Sequence, residues 1–205
     1  MRTPRSVGAP RPKAQYNFTD PESRLQERGG EYLQGTNAQA VVDADSQVIV
    51  AQGVTNLQPD NSHLVPMLEQ IRENTGSMPD AALGDAGYWK PENARYAEEQ
   101  KVDLYISPRR QKHGTDPPSD DVDADATDLN PRQQMIAKLQ TDEGRSTYAR
   151  RKSTVEPVFG QIKEARGFRR FHLRTLAKVV GEWSLVSATH NLLKLYRSQA
   201  AVVAT

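Results

Sequence analysis

The sequence predicts an α/β fold: a mixed sheet flanked by helices, with a helical C-terminal third. Three observations carry that expectation. Between residues 37 and 107, short β-branched or apolar runs alternate with amphipathic stretches, the order that layers helices on a sheet. Two of the β-branched runs close on a turn, so an antiparallel pair joins strands that are otherwise parallel. Past residue 130 the chain reads as helical to Tyr196, in two or three segments. The 205 residues suit one domain, and no internal repeat is visible.

Each element has a local reason. Residues 1–13 (MRTPRSVGAPRPK) hold four positive charges, three prolines and no acid, and are expected as a disordered basic tail. No apolar segment follows them, so they are not a secretory signal. Residues 14–20 alternate weakly, with Tyr16 and Phe18 on one side, and lead into a polar glycine-rich link, ERGGEYLQG. Ala40–Val42 and Val48–Val54 flank the turn formers Asp43-Ala44-Asp45-Ser46 as a hairpin. Leu64, Met67, Leu68 and Ile71 have the i, i+3, i+4, i+7 spacing of a helix, with Gly76 as its stop and Pro79 opening the next element.

AALGD (81–85) is a small apolar run ending in a carboxylate, which suits a buried parallel strand. PENARYAEEQ follows as a helix with Pro91 in its first turn, then VDLYIS (102–107) as a strand stopped by Pro108. Residues 109–130 are expected as a disordered acidic insertion. Its part from 115 to 130 has six aspartates, two prolines and no basic residue, too little apolar surface to offset the entropy of ordering. In the helical third, Leu176, Val179, Val180, Trp183, Val186 and Leu193 form a core stripe, and residues 198–205 are left as a tail.

Composition excludes several classes of function. No stretch approaches the ~18 uninterrupted apolar residues of a membrane span. The absence of cysteine excludes a disulfide scaffold, a Cys-ligated zinc site and thiol chemistry, and fits a reducing compartment. The net charge of +1 conceals a sorted distribution. Arg145–Arg174 carries nine Lys or Arg against two acids, offset by the acidic insertion. Phe159, Phe168 and Phe171 interleave with those cations, so the segment can anchor on a core while turning charge toward phosphates. A solvated helix face is the other reading of such a cluster.

Two acids stand out. Asp85 ends a strand in an α/β pattern, where ligands gather, and the small residues Ala86-Gly87 leave room beside it; a turn former is the plainer reading. At 100° per residue, Lys152, Glu156 and Lys163 fall within about 40° of one another, with Val155, Phe159 and Ile162 as an apolar stripe to one side. That suits a metal-bound carboxylate beside a phosphate backbone, or an ordinary i,i+4 ion pair. Pro157 either kinks the helix or starts it near Glu156. His63, His113, His172 and His190 show no metal-ligand spacing, and Gly29-Gly30 lacks the strand and helix that frame a phosphate cradle.

The string RKSTVEPVFGQIKEARGFRRFHLR, with GEW and THNLLKL behind it, resembles the C-terminal end of bacterial insertion-sequence transposases of the DDE type. NFTDPESR, QGTNAQAVVDADSQVIVA, VPMLEQI, GDAGYW and YISPRRQKHG agree in the same order, so the resemblance covers residues 14–197. It implies a ribonuclease-H-like fold, here incomplete, and metal-dependent DNA cleavage and strand transfer. In that family two aspartates and a glutamate hold two divalent ions, expected as Mg²⁺ or Mn²⁺.

Carried over by motif, the second Asp is Asp85 in GDAGY and the glutamate is Glu156 in VEPVFGQIK. Lys163 matches the last position of the helix motif, Lys152 stands where Arg is usual, and Tyr148 is one residue out of step. The resemblance makes Arg151, Lys152, Lys163, Arg166, Arg169 and Arg170 the expected DNA contacts. The family's Asp-Gly-Thr-like segment, which brings the first Asp on a central strand, has no counterpart in this sequence; Asp43 belongs to a turn, and Asp20 is the nearest substitute. The chain is therefore expected to be a truncated catalytic domain, inactive alone, with a DNA-binding protein that keeps only the basic surface as the alternative. Transposon-end and target DNA, a homo-oligomeric parent enzyme and a bacterial cytoplasmic, nucleoid-associated setting complete what the resemblance implies; no membrane is involved.

Overall fold

The computed structural model describes residues 17–28, 30–57, 59–109 and 129–203. The expected basic tail and residues 110–128 of the acidic insertion lie outside the described residues.

Residues 24–35, expected as a polar link, instead form an antiparallel hairpin of β1 (Arg24–Arg28) and β2 (Glu31–Gly35). β2 is almost wholly exposed, so the pair has no buried face to impose an alternating pattern. Its sequence signal is the Gly29-Gly30 pair: Gly30 takes φ +88°, the left-handed conformation that two-residue hairpin connections demand.

β3 (Asn37–Val42) and β4 (Ile49–Thr55) form the hairpin expected from the β-branched runs. A bulge between Val41 and Val42 pairs Val41 with Ala51 and Val42 with Ile49, leaving Val50 as the extra residue. The bulge exchanges the faces. Ala51 packs with Leu64, Leu68 and Ile71 in one core, whereas Ile49 and Val42 pack with Val158, Ile162 and Trp183 in the other. One hairpin thus serves two cores, one on each side.

α1 (Leu64–Thr75) ends at Gly76, φ +87°, whose N–H bonds the Arg72 carbonyl at 2.8 Å. β5 (Ala81–Gly84), α2 (Pro91–Glu99) and β6 (Asp103–Ile106) then make a βαβ unit, with Ala81 opposite Asp103 and Gly84 opposite Ile106 in a parallel pair. Leu104 and Ile106 are buried, while β5 is half-buried because β6 is its only hydrogen-bonded neighbour among the described residues. The α/β class stands, with one departure. Among the described residues the antiparallel and parallel pairs are joined by side-chain packing rather than by a continuous mixed sheet.

α3 (Pro131–Gln140) opens on a capping box of Asn130 and Gln133. Thr141 caps α4 (Asp142–Gly160) by accepting from Gly144 N at 2.9 Å. α4 runs through Pro157, so the proline neither starts nor stops the helix. A π turn (Gln161–Ala165) follows, then an irregular link through Gly167, φ +69°, to α5 (Leu176–Val203). α5 continues through residues 198–203, which the sequence leaves as a tail. α4 packs on β3, β5 and β6 and so spans both strand pairs, while α5 packs on β4. No described helix is long and apolar enough to cross a membrane.

Candidate functional site

Asp85 stands at the carboxyl end of β5, where the parallel pair opens. Its Oδ1 accepts from Gly87 N at 2.8 Å, capping the short 3-10 turn Ala86–Tyr88. The turn-forming reading of Asp85 is therefore correct, yet it uses only one carboxylate oxygen. Oδ2 has no hydrogen-bond partner among the described residues.

A second carboxylate arrives from the loop before α1. A Cβ placed on Gly87 would lie 2.9 Å from Asp85 Oδ1 and 3.0 Å from Asp60 Oδ2, so both acids crowd the same glycine. Asp60 is held there by amides of β3: Asn37 Nδ2 donates to its Oδ1 at 2.6 Å and Gln39 Nε2 at 2.7 Å. Gln39 Oε1 in turn accepts from the Tyr88 hydroxyl. Asn93 Nδ2, on α2, ties the assembly down through the carbonyls of Asn61 at 2.7 Å and Tyr88 at 2.9 Å. Burial pushes the Tyr88 phenol well above the ordinary tyrosine range, and the negative fields of Asp60 and Asp85 push it further. It stays protonated and can keep donating to Gln39.

On α4, the residue that senses Asp85 is Tyr148. Burial raises its phenol pKa and Asp85 adds to the rise, while Arg151 and Ser107 oppose it. The Arg151 guanidinium lies 4.3 Å from the Tyr148 ring centroid. Glu156 stands eight residues further on, about 12 Å along the axis at 1.5 Å per residue. It is exposed and has no hydrogen bond or ion pair among the described residues. The i,i+4 pair with Lys152 is not formed; Lys152 is likewise exposed and unpaired.

Lys163 lies in the π turn, which advances fewer degrees per residue than an α-helix, so it falls off the column of Lys152 and Glu156. Its ammonium sits 5.3 Å from the Phe159 ring centroid. Arg166 is committed to α5, donating to Thr189 Oγ1 at 2.5 Å. Arg169 pairs with Glu164. Arg170 and Arg174 are exposed and unpaired among the described residues.

Asp20 accepts from Thr175 N at 3.4 Å, and Glu22 accepts from Leu176 N at 2.5 Å. Two acids thus cap the positive end of α5, and this is the structural use of Asp20. Asp43 has the expected turn role, accepting from Ser46 N at 2.8 Å; the Ser46 hydroxyl holds its carboxyl below the usual range.

The Asp60–Gln39–Tyr88 network was not foreseen. Its partners lie 21 to 49 residues apart, and no periodicity or motif spans such separations. As metal ligands, the carboxylates of Asp85 and Glu156 are of the right type, oxygen donors with free lone pairs, for a hard dication that keeps water and substrate phosphate in its shell. Among the described residues no group of three His, Cys, Asp or Glu could enclose an ion.

Residues 4–192 match the family described as the transposase DDE domain. No curated protein and no solved structure matches the chain. The matched span takes in β5 with Asp85 and α4 with Glu156. The chain belongs to the transposase DDE domain family.

Proposed function

We propose that the chain acts on DNA in transposition, with Asp85 and Glu156 as two of the three carboxylates that support phosphodiester cleavage and strand transfer. We further propose that the chain is inactive alone, because the segment that brings the first Asp has no counterpart in this sequence and another chain would have to supply that carboxylate. Transposases of this family use divalent metal ions; Mg²⁺ or Mn²⁺ would polarise the phosphodiester and lower the pKa of the attacking hydroxyl or water. The observation that carries the reading is the meeting of Asp85 and α4 at the carboxyl end of the parallel pair, with a basic segment continuing from that helix.

Each residue has a defined task in this reading. The Gly87 amide fixes Asp85 Oδ1 and leaves Oδ2 to ligate. Asp60 and Tyr88 hold the turn that carries Asp85 against β3. Glu156 ligates from α4. Arg151, Lys152, Lys163 and Arg170 contact DNA phosphates, with Arg166 and Arg169 as the weaker contributors because a hydrogen bond to Thr189 and an ion pair with Glu164 already hold them. Transposon ends and target are the DNA partners, and a second copy joins them in the active assembly. The lack of a three-ligand group among the described residues favours one alternative, a DNA-binding protein that keeps only the basic surface.

Plasmid nicking with Mg²⁺ or Mn²⁺, run beside Mn²⁺ binding by electron paramagnetic resonance in the presence of DNA, tests the reading. The expected result is salt-sensitive DNA binding, no nicking by the chain alone, and Mn²⁺ affinity that falls in both Asp85→Ala and Glu156→Ala. Nicking that disappears in both variants overturns the inactivity and keeps the carboxylate roles. Mn²⁺ affinity unchanged in both variants leaves the DNA-binding alternative.

A further inference from the structure

α5 buries one face and leaves the opposite one open. Val179, Trp183, Ser187 and His190 are buried, with Trp183 and His190 bonded to the carbonyls of Gln39 and Gln47. On the other side Gly181, Leu185, Ala188, Leu192 and Leu195 recur at i, i+4, i+7, i+11 and i+14, with Tyr196 beside them. Leu185 is 66% exposed, Leu192 63%, Leu195 54% and Tyr196 70%, and a Cβ on Gly181 would meet no atom within 4 Å. Such a continuous apolar stripe differs from scattered surface leucines. The polar groups along its borders are already satisfied. Ser184 Oγ donates to the Val180 carbonyl and accepts from Gln52, and Thr189 Oγ1 donates to the Val186 carbonyl and accepts from Arg166. The Asn191 side chain holds both backbone polar groups of Ile49. Between Trp183 and Tyr196 the only formal charge is Lys194, whose ammonium is turned away to Gln47 Oε1 at 2.7 Å. Covering the stripe therefore breaks no hydrogen bond and buries no charge.

We infer that this face of α5 pairs with the same face of a second copy, antiparallel about a two-fold axis between Ala188 and Leu192. The stripe is self-complementary in that sense. Leu185 lies against the partner's Leu195, Ala188 against the partner's Leu192 and Gly181 against the partner's Gln199, so long side chains cover short ones. A parallel pair would set alanine against alanine and glycine against glycine, leaving two gaps, and would hold the helix dipoles side by side in the same sense. The pair removes roughly 1,000 Å² from water over both copies, the least that a specific interface needs, so it depends on concentration. A membrane surface fits less well, because the stripe's borders lack the Lys and Arg that anchor an interfacial helix. A second copy already belongs to the proposed assembly on DNA, and the inference rests on that reading only there. The pairing itself comes from the protein alone and needs no DNA to hold the copies together.

Sedimentation velocity of the full chain without DNA tests the pairing. The expected result is a monomer at about 1 μM and mostly dimer at about 100 μM. Leu192→Ala weakens the dimer about tenfold, and Leu192→Glu keeps the chain monomeric throughout with an unchanged circular dichroism spectrum. The chain has no cysteine, so single cysteines report the orientation. Leu185→Cys mixed with Leu195→Cys forms a disulfide between copies on oxidation. Leu185→Cys alone does not, because the antiparallel pair holds its two sulfurs about 15 Å apart along the axis. A monomer at every concentration overturns the inference alone, since nicking and Mn²⁺ binding judge the DNA reading separately. A dimer that survives Leu192→Glu overturns it, as does self-crosslinking of Leu185→Cys. A dimer seen only with DNA overturns it in favour of copies gathered by the nucleic acid. A monomer that sediments with anionic lipid vesicles, and no longer does so as Leu192→Glu, overturns it in favour of a lipid surface.

Discussion

Gly87 decides how closely two acids can approach the end of β5. Any side chain there would begin within 3.0 Å of a carboxylate oxygen of Asp85 and of Asp60. Gly87→Ala is expected to leave the fold intact, to cost about 1–2 kcal/mol through displaced hydrogen bonds, and to lower Mn²⁺ affinity as Asp85 turns away. Urea unfolding and metal titration separate the two effects. Glu182 offers a test by pH. It accepts from the amides of His172 and Leu173, each at 3.0 Å. Burial raises its pKa, but those amides and the His172 ring outweigh burial and hold the carboxyl below its ordinary value of 4.5. The stability it contributes is fully present above that ordinary value and is lost as pH falls through the lowered folded value. Glu182→Ala should therefore destabilise by about 1–3 kcal/mol at neutral pH, with the gap from wild type closing in acid. At this scale the strand-end position of Asp85 and the helical position of Glu156 were legible, from the small apolar run before the one and the helix period around the other. Asp60 was not, since its meaning comes from β3 amides more than twenty positions away.

Elements are aimed by their corners. At the α3–α4 corner a Cβ on Gly144 would lie 2.0 Å from the Lys138 carbonyl oxygen, a backbone atom that cannot swing aside. Gly144→Ala should cost about 3 kcal/mol and lower the melting temperature by roughly 6–12 °C. It would also re-aim α4, so Tyr148 should move from Asp85 and its phenol should titrate at lower pH. Helix periods and capping residues made α1, α2 and the C-terminal helices readable. The bulge at Val41 and Val42 was not, because a strict period of two puts Ile49 beside Ala51, and only packing against α4 and α5 reveals the exchange of faces. The hairpin of β1 and β2 escaped for the opposite reason, having little to bury and therefore little to pattern.

Across the whole molecule, charge is sorted rather than balanced, and DNA affinity should follow the cations that have no internal partner. Lys152→Ala and Arg170→Ala should each reduce the slope of log affinity against log salt by about 0.9, the value for one phosphate contact on a duplex. Arg169→Ala should change the slope less, because Glu164 already shares that charge. Arg166→Ala should lower stability instead, since its guanidinium fastens the junction after the π turn to Thr189 and the Val186 carbonyl on α5. Salt titrations of all four variants, beside their melting curves, divide surface charge from scaffold. The sorting itself was plain in the sequence. Which cations are already spent was not, because their partners come from other elements.

Gln39 reaches Asp60 and Tyr88 with its side chain, while its carbonyl receives the Trp183 indole from 144 positions downstream. A nascent chain that has emerged only through α4 already contains Asp60, Asp85 and Glu156, yet β3 still lacks its last brace. That brace is expected to form only after α5 leaves the ribosome, since it closes one of the longest loops in the molecule. Half-made copies would carry the acids of the site without the tie from α5 that completes the support of β3.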